Sequence, residues 1–142
     1  MTLEFEGLSP LLQVYDMPKA VHFYRDVLGF ELVGNSPIVK SPIQGEYFHW
    51  AMLRRNGTTI MLNTAYDEGE RPSQPDPPRV AAHADTALYF GCDDVDSVCD
   101  HVRPLGIKVL QKPENMHYGM RRLTIEDPDG YNICFHGPLR TE

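Results

Sequence analysis

Apolar and polar positions change period along the chain, and each change marks an element. Leu8 to Tyr15 is a short apolar run of strand length. Asp16 then stands where an N-cap is wanted and Pro18 falls in the first turn, so a helix begins there. Ala20, Val21, Tyr24, Val27 and Leu28 recur at helical spacing, and Gly29 supplies the stop. Phe30 to Val33 resumes as strand, and Asn35 to Gly45 reads as a loop with proline and serine. Glu46 to Arg54 and Thr58 to Asn63 read as an antiparallel pair joined at the hairpin dipeptide Asn56-Gly57. Residues 64–85 are polar, carry Pro72, Pro75, Pro77 and Pro78, and show no period, which reads as a linker.

The pattern then recurs. Thr86 to Cys92 is a strand, Asp94 caps a helix bearing Val95, Val98, Cys99 and Val102, Pro104 ends that helix early, and Gly106 stops it. Ile107 to Leu110, Gly119 to Glu126 and Tyr131 to His136 supply three more strands, the last two joined at Asp127-Pro128-Asp129-Gly130. The halves overlay: Asp16 and Asp94 lie 78 apart, Leu28-Gly29 and Leu105-Gly106 lie 77 apart, and Gly57 to Asn63 overlays Gly130 to His136 at 73. Element order, helix stop and hairpin turn all agree. The chain is an internal duplication of the α+β class, with unit 1 at 8–63 and unit 2 at 86–136.

A length of 142 residues with 42% hydrophobic and 23% charged positions fits one globular domain with a full core. The net charge of −7 disfavours nucleic acid and mildly favours cationic ligands. No apolar run approaches the roughly 20 residues of a membrane span. Cys92, Cys99 and Cys134 are an odd count without metal-type spacing, and no signal peptide precedes them, so a reducing cytoplasm is expected.

A βαβββ unit present twice resembles the vicinal oxygen chelate superfamily, which holds glyoxalase I, extradiol dioxygenases and bleomycin-resistance proteins. The likeness is carried by Phe23 to Phe30 (FYRDVLGF) and by Asp127 to Tyr131 (DPDGY). It implies two sheets curled into cups around a cleft, and a homodimer, with units exchanged between chains in some members. It also implies up to four His or Glu metal ligands, whose positions here hold Ser9, Met61, Ala87 and Cys134. Divalent transition metals need several imidazole or carboxylate ligands at once, and this set supplies none. His49, His83, Asp85, His117 and His136 do not share ligand-pair spacing and read as rim or sheet residues; His22 and His101 read as exposed on helices.

Strand alternation divides the faces. Ile60, Leu62, Leu88, Phe90, Ile133 and Phe135 go beneath the helices. The concave side receives Gln13, Phe48, Trp50, Met52, Met61, Asn63, Tyr89, Cys134 and His136, with Tyr118 and Arg122 closing one end. Aromatic and methionine side chains among a few amides suit a flat, partly apolar ligand. Asp127, Asp129 and Asn132 are explained by a turn rather than a calcium loop, and Asp93, Asp94 and Asp96 by helix capping. Cys134 as a nucleophile needs a base, and His136, two residues on, is the nearest candidate.

Two functions follow from this reading. The first is a cofactor-free, metal-independent protein that sequesters a cationic or aromatic compound, as in the antibiotic-resistance branch of the resembled family. The second is a glyoxalase- or dioxygenase-type enzyme with non-standard metal ligands. The residues at the four ligand positions favour the first.

Overall fold

In the computed structural model, which describes residues 1–141, the chain divides into two units, Met1–Arg71 and the part from Pro72 onward. Each has its own four-stranded mixed sheet. Unit 1 runs β1 (Leu11–Val14), α1 (Met17–Val21), β2 (Glu31–Asn35), β3 (Val39–Ser41), β4 (Gly45–Tyr47), β5 (Trp50–Arg55) and β6 (Thr58–Thr64). Its sheet order is β1-β6-β5-β2, with β1 and β6 parallel. Unit 2 runs α2 (Pro77–His83), β7 (Ala87–Gly91), α3 (Val95–Val102), β8 (Val109–Asn115), β9 (Arg121–Glu126) and β10 (Asn132–Gly137), and its sheet order is β7-β10-β9-β8. Leu11 pairs with Met61 and Tyr89 with Cys134, so the registers repeat at the same offsets of 78 and 73 as the sequence.

The helix caps form as their residues dictate. Asp16 Oδ1 accepts from Lys19 N–H at 3.1 Å, and Asp94 Oδ1 from Ser97 N–H at 3.1 Å. Beyond Val21 the first helix widens to a π-helical stretch, His22–Val27, in which Leu28 N–H reaches back to the Phe23 carbonyl at 3.0 Å. The wider turn changes the phase of the buried stripe. Phe23 and Tyr24 both point inward, while Leu28, expected on that stripe, is only half-buried. Tyr24 is fully buried and meets Phe23 and Phe30 edge-on at 4.8 and 6.1 Å.

Three expectations need correction. Residues 64–85 are not aperiodic throughout, because Pro77–His83 is α2. Pro77 and Pro78 occupy its first turn, where the missing N–H costs nothing. The expected strand Glu46 to Arg54 is two strands broken at Phe48-His49; the first, β4, pairs with β3 inside the presumed loop. The strand expected to end at Leu110 runs on through Pro113, tolerated because β8 is the sheet edge.

Arg121, 8% exposed, forks onto Asp96, with Nε–H donating to Oδ2 at 2.7 Å and Nη2–H to Oδ1 at 2.9 Å. These hydrogen bonds hold the Asp96 carboxyl below its ordinary value of 3.8. A depressed carboxyl stabilises the fold above its unfolded pKa, and that contribution is lost as pH falls through the lowered value. Asp96→Asn is therefore expected to cost about 2 kcal/mol at neutral pH and to flatten the acid limb of stability below about pH 4. Urea midpoints of both proteins across that range check it, and an unchanged acid limb would contradict it.

Candidate functional site

In unit 1 the buried positions of the strands, Leu12, Val14, Ala51, Leu53, Ile60 and Leu62, form the core with α1, which packs on β6. Alternation leaves two cross-strand ranks on the opposite face. One is Leu11, Met61, Met52 and Gly34; the other is Gln13, Asn63 and Trp50. Met61, Met52, Gln13, Asn63 and Trp50 are half-buried there, and Leu11 is 46% exposed. Neither rank carries a charge.

The polar groups on this face hold one another. Asn63 Nδ2–H donates to Gln13 Oε1 at 3.2 Å, and the indole of Trp50 lies over Gly34, whose added Cβ would stand 3.6 Å from the ring. The Ser36 hydroxyl accepts from the backbone N–H groups of both His49 and Trp50 at 3.0 Å, fixing where the indole begins. His49 Nδ1 pairs with Thr64 Oγ1 at 2.7 Å, so that histidine is satisfied within the unit. Phe48 falls outside any strand and is not part of either rank.

In unit 2, α3 packs on β8, β9 and β10, and Leu123, Ile125, Ile133 and Phe135 are buried. The opposite face again carries two ranks. Tyr89, Cys134, Thr124 and Gln111 form one; Gly91, His136, Arg122 and Glu114 form the other. Tyr89 reaches across β10, because its hydroxyl accepts from Arg122 Nη1–H at 3.1 Å on the strand beyond. Its ring meets His136 edge-on at 5.4 Å and remains 49% exposed. Arg122 Nε–H donates to Gln111 Oε1 at 2.8 Å. Cys134 is 3% exposed, and its Sγ lies 3.5 Å from Thr124 Oγ1, so it sits under this surface and its hydrogen-bond partner is Thr124, not His136. Tyr118 is outside the ranks. It lies on the turn between β8 and β9 that Gly119 closes at φ +94, and its ring meets His117.

Sequence reasoning missed Ser36 and Gln111. Ser36 acts through backbone groups thirteen and fourteen residues away, which no period reveals. Gln111 was hidden by the short reading of β8, whose register shifts twice. Asn132, on the same face beside Ala87, has the one buried side-chain oxygen without a hydrogen-bond partner among the described residues.

Within each unit the two ligand-type positions are not cross-strand partners. Ser9 is exposed and precedes β1, where Pro10 offers only its carbonyl, accepting from Met61 N–H at 2.8 Å; the residue beside Met61 is Leu11. Ala87 stands beside Asn132, and Tyr89 beside Cys134. Among the described residues no three His, Cys, Asp or Glu side chains gather closely enough to hold a metal ion. His83 is committed elsewhere: its ring stacks on Tyr131 at 4.1 Å and its Nδ1 meets the Asp129 carbonyl at 2.7 Å. A recess of about 370 Å³ at the start of α3 is lined by Asp93, Asp94, Asp96 and Asp100 with Arg121 and Arg140. Asp94 is bound to Ser97 there, and Asp96 to both arginines. No helix among the described residues is long and apolar enough to cross a membrane.

Comparison with known proteins places this geometry. The profile of the Glyoxalase/Bleomycin resistance protein/Dioxygenase superfamily matches residues 8–135. A probable lactoylglutathione lyase of Synechocystis sp. is 27% identical over 131 residues, covering 89% of this chain and 90% of that protein. A bleomycin resistance protein of Geobacillus stearothermophilus is 29% identical over 138 residues, covering 93% of this chain and 96% of the other. The crystal structure of TnmS3, an antibiotic binding protein from Streptomyces sp. CB03234, shares the fold with a TM-score of 0.68 at 24% identity, over 97% of this chain and 100% of that one.

Proposed function

The chain belongs to the Glyoxalase/Bleomycin resistance protein/Dioxygenase superfamily, and from that premise we propose that it is a metal-independent protein that sequesters a small aromatic molecule. The observation that carries this reading is the half-exposed face of each sheet. Half-buried Met52, Met61 and Trp50 lie there in unit 1 and half-exposed Tyr89 in unit 2, beside the Asn63–Gln13 and Arg122–Tyr89 hydrogen bonds. Apolar surface fixed in place with a few convergent polar groups is the usual composition of a small-molecule site. Trp50 over Gly34 and Tyr89 against His136 are flat surfaces already positioned to stack on a ring. The residues on these faces do not fit a divalent transition metal: unit 1 offers thioether and amide groups, and in unit 2 His136 and Glu114 have no third His, Cys, Asp or Glu gathered with them among the described residues.

Similarity to a bleomycin resistance protein over nearly the whole of both chains supports binding without turnover. Similarity to a lactoylglutathione lyase supports a second reading, a metal-assisted lyase. The expected homodimer and cytoplasmic location belong to the first reading. Native mass spectrometry with elemental analysis of freshly purified protein separates the two. Sequestration predicts less than about a tenth of an equivalent of transition metal, since a resident catalytic ion binds near-stoichiometrically. Near-stoichiometric metal would favour the lyase.

A further inference from the structure

Two adjacent arginines on β9 face opposite ways and are treated differently. Arg121 points beneath the sheet, is 8% exposed, and is matched by the Asp96 carboxylate at 2.7 and 2.9 Å. Arg122 points to the half-exposed face, where its partners are two neutral oxygens, Gln111 Oε1 and Tyr89 Oη. Glu114 stands across the strand pair from Arg122, yet its Oε2 accepts from Gln111 Nε2–H at 3.2 Å. Glu126, on the same face of β9, is paired with Lys108 at 3.2 Å. Among the described residues no carboxylate lies within ion-pairing distance of Arg122, in a chain with 20 acidic and 13 Lys and Arg residues.

A guanidinium has five N–H donors and is charged at every accessible pH. Arg122 spends Nε–H and one Nη1–H on its neutral partners. The second Nη1–H and both Nη2–H groups have no protein partner among the described residues. Gln111 and Tyr89 therefore fix the plane of the group and leave one edge of its fork unused. The Tyr89 ring lies beside it, 49% exposed and braced against His136. A cation held flat beside an exposed aromatic ring suits a ligand that presents a ring to Tyr89 and a negative oxygen to Arg122.

We propose that the face of unit 2 selects an aromatic compound carrying an anionic oxygen, a carboxylate or an acidic phenol, with Arg122 as the charge-reading residue and Gln111 and Tyr89 as its positioning residues. This rests on the small-molecule reading above and narrows it. The overall charge of −7 favours cationic ligands at long range, but a screened field is weaker than a charge-assisted hydrogen bond at contact. The cationic alternative is the one this face opposes.

The test is a matched series of probes, 2-naphthoate, 2-naphthamide and 2-naphthylmethylammonium, titrated into the full chain and followed by amide chemical shifts. The expected result is that naphthoate binds about tenfold or more tighter than the amide, with shifts at Tyr89, Arg122 and His136. Rising salt should weaken the naphthoate and leave the amide unchanged. Arg122→Gln should remove the difference between the two, and Arg122→Lys should restore part of it. Should Arg122→Gln unfold, the salt dependence and probe order of the unmodified chain decide alone. Equal binding of naphthoate and amide, insensitive to salt and to Arg122→Gln, would overturn the inference while leaving small-molecule binding standing. Preference for the ammonium probe would overturn it likewise. Failure of all three to bind would overturn both the inference and the reading beneath it.

Discussion

Gly137→Ala is expected to lower the thermal midpoint by about 10 °C, corresponding to roughly 3 kcal/mol in a domain of this size. Gly137 ends β10 in a buried position, where Cys92 N–H donates to the carbonyl of the preceding His136 at 2.9 Å. A Cβ built on Gly137 runs into the Cys92 carbonyl oxygen and also meets Val95 Cγ2 at 3.5 Å. The obstructing atom is backbone, so no rotamer relieves the overlap. Either the β7–α3 connection or the end of β10 must move, and both position the sheet that carries His136 and Tyr89. Gly57→Ala is the control, because a Cβ there meets nothing within 4 Å and such substitutions change stability by no more than about 0.5 kcal/mol. Thermal melts of the two variants and the parent check this. Equal midpoints would mean that β10 and the Cys92 carbonyl do not approach as closely as the structure has them.

Much of this architecture is legible in the chain because turn and cap chemistry is local. Asp16 and Asp94 accept the N–H three residues on, and Asn56 takes φ +53 in the β5–β6 hairpin. The DPDG turn closes as read, with Asp127 Oδ1 accepting from Asp129 and Tyr131 N–H at 2.9 Å. Gly130 is required there twice over, by φ +87 and by the Val80 carbonyl 2.7 Å from where a Cβ would sit. What the chain conceals is set by tertiary contact. Four prolines mask α2, whose place is fixed by His83 stacking on Tyr131 and by the close approach at Gly130. The π-helical turn moves Phe23 inward against a strict 3.6-residue period.

The candidate site divides in the same way. Alternation places Trp50, Met52 and Met61 on the face away from the helix, and Tyr89 and Arg122 on the corresponding face of unit 2. Alternation alone does not reveal that Tyr89 crosses β10 to Arg122, leaving Cys134 beneath the surface. Phe48 left its face because β4 and β5 break beside it, and Tyr118 because its turn closes at Gly119. Ser9 precedes its strand because β1 starts only after Pro10, while Ala87 opens β7 beside Asn132.

Trp50→Ala is expected to weaken the binding of a flat aromatic ligand about 30-fold, near 2 kcal/mol, the loss typical of a buried aromatic anchor. The indole is half-buried, seated over Gly34, and its backbone is clamped by Ser36, so it loses little freedom when a ring stacks on it. Trp50→Phe keeps a smaller stacking surface and should fall between the two. Calorimetric titration with 2-naphthamide, which carries no charge, measures this loss for a ring stacked on the unit 1 face. An unchanged affinity in Trp50→Ala would place the ligand away from the unit 1 face.

Sequestration of this kind requires binding without a metal, and calorimetric titration of 2-naphthamide into chelator-stripped protein, repeated after adding back zinc, nickel, iron or manganese, measures it directly. The predicted result is one affinity in every condition, within about twofold, because no protein group on either face is positioned to change with the ion. Binding that appears only when a metal is restored, and disappears again with chelator, would contradict it.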